Sequence, residues 1–236
     1  MLADLKTRLV ETYHRKQLTE TAQAVREARL TYLTPAKLHT LERYLEHIEV
    51  EGIEGDCVEY GVALGGSAIL ISKLMGQDRS FTGFDLFGTI PPPSERDAEE
   101  SHARYEVIAS GKSAGIGGDR YYGYEDDLYA KVVKHFKNFG LAVGGPRLDL
   151  VQGLFDDTVS FEPEKKIAFA HIDCDWHDPV ALCLEKTYER LSPGGVIILD
   201  DYNDYGGCRT ATVDFLRGHA DMRIADDNHN AVLLRS

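Results

Sequence analysis

At 236 residues, with 39 acidic against 26 basic side chains and a formal charge of −13, the chain is long enough to bury one large core and repels a phosphate backbone, so nucleic acid is excluded as the main partner and a bound cation is favoured. Residues 1–20 are charged throughout, and no later run approaches membrane-spanning length; no membrane partner is expected. Cys57, Cys174, Cys183 and Cys208 form neither a CxxC pair nor a zinc spacing, which reads as reduced, mostly buried thiols in a cytoplasmic protein.

Leu2, Leu5, Leu9 and Tyr13 recur at helical spacing. Leu38, Leu41, Leu45 and Ile48 do so again after Thr34-Pro35, where threonine caps and proline suits the first turn. Residues 1–50 therefore form a helical cap or oligomerisation segment, and a homo-oligomer is expected. From Asp56 the pattern changes to short apolar runs separated by longer helical stretches, the mark of parallel strands joined by crossovers. Five such strands are predicted: Asp56 to Tyr60, Phe81 to Asp85, Leu148 to Gln152, Lys166 to Ile172 and Val196 to Leu199. The last two are almost continuously apolar and read as central strands covered on both faces.

Between the second and third strands, residues 88–145 open on Pro91-Pro92-Pro93 and contain the flexible run Gly111 to Gly118. A mobile lid is expected at about 88–126, followed by a helix over about 125–139 with Leu128, Val132, Val133 and Phe136 on one face. Met222 to Ala225 and Ala231 to Leu234 flank a polar turn and predict an antiparallel pair at one sheet edge. The fold class is α/β, a doubly wound, mostly parallel Rossmann-like sheet, with one ligand-binding domain over residues 51–236.

Open α/β sheets bind ligands beyond the carboxyl ends of their strands. The first strand runs through Glu59-Tyr60-Gly61 into Gly65-Gly66-Ser67 and the apolar helix Ala68 to Leu74. Its glycines fall as GxxxGG, unlike the GxGxxG of dinucleotide folds, and their plainer reading is a strand-to-helix turn. Asp85, ending the second strand, is placed to accept hydrogen bonds from a ribose diol. Gln152-Gly153-Leu154-Phe155 ends the third with the means to hold an adenine ring, although Phe155 alone reads as core.

The strongest chemical signal is Asp173-Cys174-Asp175 and Asp200-Asp201 at two strand ends. Read singly, such acids are caps or solvated loop residues. Four together repel one another, and a divalent cation relieves the repulsion; an all-oxygen site favours magnesium, manganese or calcium. His171 reads as a core histidine, His177 is ambiguous, and Trp176 is either a substrate wall or a core cover.

Together Val58-Glu59-Tyr60-Gly61, Gly83-Phe84-Asp85-Leu86-Phe87, Pro91-Pro92-Pro93, His171-Ile172-Asp173-Cys174-Asp175 and the run Pro193 to Tyr202 resemble the macrocin O-methyltransferase family of natural-product and deoxysugar O-methyltransferases, over about residues 52–217. The resemblance implies S-adenosylmethionine as cofactor and Mg2+ as the metal. It further implies cofactor contacts from Glu59, Gly61, Ser67 and Asp85, joined in our reading by Tyr60, Gln152 and Gly153. Magnesium would fall to Asp173, Asp200 and Asp201, with Asp175 as general base. The expected partner is a small-molecule hydroxyl acceptor, a glycosylated metabolite. Where related catechol-type enzymes carry a lysine three residues after the metal aspartate, this chain has Trp176.

Three other readings compete. Asp173-Cys174-Asp175 also reads as the DxD of a metal-dependent glycosyltransferase, but the first basic residue after Asp201 is Arg209, distant for a diphosphate. A nicotinamide oxidoreductase lacks its glycine fingerprint, and a non-catalytic subunit of the same fold is disfavoured by the intact acids.

Overall fold

The computed structural model describes residues 10–236. Leu2, Leu5 and Leu9 lie outside these residues; Tyr13 lies in a helical stretch at 10–15 but is exposed, so it is not part of a core-facing stripe. Two capped helices follow. In α1 (Glu20–Glu27) the Thr19 hydroxyl accepts from the Ala22 amide, and in α2 (Pro35–Val50) the Thr34 hydroxyl accepts from the Lys37 amide with proline at the first turn. Leu38, Leu41, Leu45 and Ile48 are all buried, as their spacing requires. Residues 28–34 between the two helices are not helical.

The remaining elements are β1 (Asp56–Tyr60), α3 (Gly66–Leu74), β2 (Phe81–Asp85), α4 (Glu99–Ala109), α5 (Leu128–Asn138), β3 (Leu148–Gln152), α6 (Phe155–Thr158), β4 (Ile167–Ile172), α7 (His177–Tyr188), β5 (Leu191–Leu199), α8 (Gly206–Gly218), β6 (Met222–Asp226) and β7 (Ala231–Arg235). One seven-stranded sheet has the order β3-β2-β1-β4-β5-β7-β6. The first five strands are parallel, and β7 runs antiparallel to both β5 and β6. One face is covered by α1, α2, α3 and α5, the other by α6, α7 and α8. Among the described residues no helix is long and apolar enough to cross a membrane. All four cysteines are free and buried.

Two segments differ from expectation. β5 begins at Leu191 rather than Val196, because Ser192 to Gly195 bulge out between the partners of Ile167 and Phe169; an irregular register accommodates Pro193, which has no amide hydrogen to give a ladder. The insertion at 88–126 is built around α4, two 3₁₀ turns at Ile116–Gly118 and Tyr122–Tyr124, and an Ala114–Arg120 bridge. Its proline and glycine content had concealed that helix, whose only buried residues are Ser101 and Ile108.

The chain leaves β1 toward β2 and β3 on one side and returns through β4 and β5 on the other, so β1 and β4 flank the topological switch point. There the Asp173 amide donates to the Tyr60 carbonyl, and Gly61, at φ 91°, passes so close that a Cβ on it would lie 1.8 Å from the Asp173 carbonyl oxygen. This glycine makes room for the neighbouring strand end. Gly61→Ala is expected to destabilise the protein by about 3 kcal/mol in thermal or chemical unfolding. Gly111→Ala, at φ 76° with open space around it, is expected to cost only about 1 kcal/mol.

Candidate active site

A cavity of about 910 Å³ opens over the carboxyl ends of β1 to β5. That is the upper end of the range for small-molecule sites and suits two ligands side by side. Its floor at one end is formed by Gly61, Val62, Ala63, Ser67, Asp85 and Gly153, and at the other by Asp173, Asp175, Asp200, Asp201 and Asp204. Leu30 to Thr34 and Lys37 supply one wall; Ile90, Pro91, Arg96, Arg104, Tyr121 and Tyr122 of the insertion supply another.

At the first end, Asp85 serves the backbone. One oxygen accepts from the Val62 and Ala63 amides at 2.7 and 2.8 Å, the other from the Phe87 amide at 2.5 Å. Burial raises its pKa, and the three amides pull the other way. The carboxylate thereby holds the Gly61–Gly66 turn in shape while still facing the cavity. Gly65, at φ 90°, opens α3 without a side-chain cap, and the Gly66 amide donates to the Leu30 carbonyl, binding the N-terminal segment to this turn. Gly153, Leu154 and Phe155 line the wall, and Phe155 also packs edge-on against Tyr60.

Three residues assigned to cofactor contact are not in the cavity wall. Tyr60 is fully buried on the opposite sheet face, stacked on Phe84 with its hydroxyl 2.9 Å from Thr187 Oγ1. Side chains alternate along a strand, so Tyr60 and Glu59 cannot both face the same layer. Glu59 is fully buried beneath the acids, where in-register pairing of β1 with β4 sets it beside His171; its Oε1 lies 2.7 Å from His171 Nδ1. The Gln152 amide side chain is exposed and reaches the Leu86 carbonyl at 3.4 Å.

At the second end, oxygens of Asp173, Asp175 and Asp201 lie within 4.8 Å of one another, as do those of Asp200, Asp201 and Asp204. The Asp175 amide, at φ 59°, donates to Asp201 Oδ2 at 3.0 Å. Crowding shows in the acidities. Burial first, then the charge of Asp200, pushes Asp173 far above the carboxylate range; burial and then Asp175 do the same to Asp201. Asp175 is pushed up to about 6 by burial, against a hydrogen bond to Asp201 and the charges of Arg104 and Lys37. Such a set of hard, mutually repelling oxygens fits a magnesium-like ion.

The sequence reading missed the cation already present. Lys37, on the first turn of α2, inserts its ammonium between Asp200 at 2.7 Å and Asp204 at 2.6 Å and also reaches the Asp200 carbonyl. Burial opposes its charge, but these acids hold its pKa above the ordinary lysine value. Asn230 donates to the other Asp200 oxygen at 3.3 Å, and His171 Nε2 stands 4.0 Å from it. Burial would neutralise His171, but Glu59, then Asp173 and Asp200, raise its pKa overall. Asp200 is therefore ringed by positive and donor groups, and both it and Asp175 line the cavity. Asp204 was legible in the acidic run after Asp201; nothing in the sequence pointed from Lys37 to residues more than 160 positions away.

Trp176 is buried and lines the cavity, and it ties the insertion down by donating Nε1–H to the Pro91 carbonyl at 3.0 Å. Asp97 adds a second tie by accepting from the His177 amide at 2.8 Å, which caps α7. His177 itself is hydrogen bonded to Asp178 and takes no part in the cavity floor.

The sequence profile described as macrocin-O-methyltransferase (TylF) matches residues 4–228. The chain belongs to the macrocin-O-methyltransferase family. It is 27% identical over 183 residues to the 8-demethyl-8-(2,3-dimethoxy-alpha-L-rhamnosyl)-tetracenomycin-C 4'-O-methyltransferase of Streptomyces olivaceus, covering 76% of this chain and 64% of that one. It is 26% identical over 197 residues to the mycinamicin III 3''-O-methyltransferase of Micromonospora griseorubida, covering 80% of this chain and 71% of the relative. The chain thus spans about two thirds of the length of these curated relatives. The solved O-methyltransferase NovP shares the fold at a TM-score of 0.72 and 22% identity, over 88% of this chain and 82% of NovP.

The acid cluster of this macrocin-O-methyltransferase family member makes stability depend on pH. A carboxyl held at about 6 when folded, against 3.8 ordinarily, keeps its proton more tightly in the folded state. Its stabilising contribution is full below about 4 and is lost as pH rises through about 6. Metal-free protein should therefore gain thermal stability from pH 7 to pH 5, less so in Asp175→Asn, and added magnesium should raise the melting temperature more at pH 7 than at pH 5. Lys37→Met should cost roughly 3 kcal/mol of metal-free stability, by stranding the buried Asp200 carboxylate, and should tighten magnesium binding in calorimetry.

Proposed function

We propose that the protein transfers the methyl group of S-adenosylmethionine to a hydroxyl of a small molecule, a deoxysugar of a glycosylated natural product, with magnesium at the acid cluster. The observation that carries this reading is one cavity with a glycine-turn floor at one end and a carboxylate cluster at the other, in a chain of this family. The substrate class is taken from the relatives, one of which is named for methylating a rhamnosyl-bearing tetracenomycin.

When bound, S-adenosylmethionine supplies an electrophilic methyl on a sulfonium and magnesium supplies Lewis acidity toward the acceptor hydroxyl. Gly61, Ser67, Asp85 and Gly153 would hold the cofactor; Glu59, Tyr60 and Gln152 would support that floor from behind or beside it. Asp201, the member common to both carboxylate groups, and Asp173 would hold the ion. For the third oxygen we favour Asp200 over Asp175, because a carboxyl poised near 6 and open to the cavity suits the proton acceptor. Asp175 would take the hydroxyl proton as the oxygen attacks the methyl group. Trp176 and the insertion at 88–126 would act as a lid that excludes water, with residues 1–50 as a cap. A reducing cytoplasm accords with four free, buried thiols, and self-association through the N-terminal segment completes the reading.

Calorimetric titration of S-adenosylmethionine and then magnesium into chelator-treated protein should give saturable binding of both; binding of a nucleotide-sugar alone would overturn the proposal in favour of glycosyl transfer. Asp175→Asn should keep both affinities within about threefold and lose turnover by 10² or more, while Asp201→Asn should weaken magnesium first. Loss of magnesium binding in Asp175→Asn, with binding retained in Asp200→Asn, would make Asp175 a ligand instead of the base.

A further inference from the structure

The insertion brings to the cavity a charge that methyl transfer as proposed does not use. Arg104, on α4, lines the wall half-buried. Its Nη2 donates to Ser113 Oγ at 3.0 Å, and the guanidinium carbon lies 5.9 Å from the Tyr121 ring centroid. Ser113 is itself fixed, since its amide donates to the Tyr124 hydroxyl at 3.1 Å and that hydroxyl donates to the Ile108 carbonyl at 2.6 Å. The guanidinium is thus braced from one side, and among the described residues the rest of its donor fork is uncommitted.

The other two cations of the wall are neutralised. Lys37 is paired with Asp200 and Asp204, and Arg96 with Asp178 at 2.8 Å. No carboxylate of the described residues pairs with Arg104, although the chain holds 39 acids against 26 bases. A guanidinium drawn partly out of water without a counter-charge costs desolvation free energy that pairing would offset. Its planar fork matches a carboxylate or phosphate in bidentate geometry, which a lysine would not reproduce. It shares the cavity wall with Asp175, Tyr205 and Tyr121, and its charge is felt by all three and by Tyr32.

We propose that Arg104 is an oxyanion-binding subsite for the acceptor, so that the molecule methylated carries a carboxylate or phosphate group near its reacting hydroxyl. This rests on the methyltransferase reading and adds the charge of the substrate to it. A neutral glycoside would leave the Arg104 charge unmet; an acidic one satisfies it while the hydroxyl faces Asp175.

Trp176, the only tryptophan, lines the same cavity and reports on occupancy by its fluorescence. Glucose 1-phosphate, glucuronate and glucose are titrated into chelator-treated full-length protein, with and without S-adenosylhomocysteine. At least one of the two anions should bind tenfold or more tighter than glucose, and which one does so separates phosphate from carboxylate. Arg104→Gln should erase that preference and leave glucose and S-adenosylhomocysteine affinities unchanged, and Arg104→Lys should keep part of it. Equal affinities for all three sugars, or a preference that survives in Arg104→Gln, would overturn the subsite. Failure of S-adenosylhomocysteine to bind would instead sink the methyltransferase reading, while the sugar titrations without it still judge Arg104.

Discussion

Five aspartates gathered at the ends of two neighbouring strands repel one another, and much of the surrounding architecture serves to tolerate that repulsion. α2 sends Lys37 between Asp200 and Asp204, Asn230 from the β6–β7 turn donates to Asp200, and the His171–Glu59 pair lies beneath. The partial compensation leaves Asp173, Asp175 and Asp201 with raised pKa values and a shared face toward the cavity. A site that were fully neutralised by the protein would have no use for a cation; this one is held short of that point.

Bringing the two halves of the sheet close enough for this cluster to meet the glycine turn depends on Gly61. Only a residue without a Cβ lets the end of β1 pass the Asp173 carbonyl, and that passage puts the turn held by Asp85 next to the acids. The N-terminal segment then closes over both ends, with the Leu30 carbonyl on Gly66 and Lys37 on Asp200. The N-terminal segment, the glycine turn and the acid cluster are therefore linked through short hydrogen bonds.

The insertion is a separate device bolted onto that frame. Trp176 holds its proline end, Asp97 caps α7, and the inner face carries Arg104 among tyrosines. Both of these ties run to residues just after β4, while Arg29–Asp119 and the Tyr32–Tyr122 ring contact join the insertion to the N-terminal segment. Selection of the acceptor and placement of its hydroxyl would then be coupled through the same few residues.

The strands, the antiparallel edge and the helix at 128–138 were legible in the sequence because they rest on local periodicity, and β1, β2 and β3 begin and end where the pattern changes. The acids were legible because strand ends in this fold class share one edge. By itself the sequence determined the α/β sheet and the gathering of Asp173, Asp175, Asp200 and Asp201 at its functional edge. Tertiary structure alone decided that Tyr60 turns into the core and Glu59 beneath the acids, because the pleat allots each residue a face only once the sheet has two covered sides. It alone decided, too, that Lys37 and Arg104 reach the cavity, since contacts between segments distant in the chain leave no periodic trace and are set by how the N-terminal segment and the insertion pack.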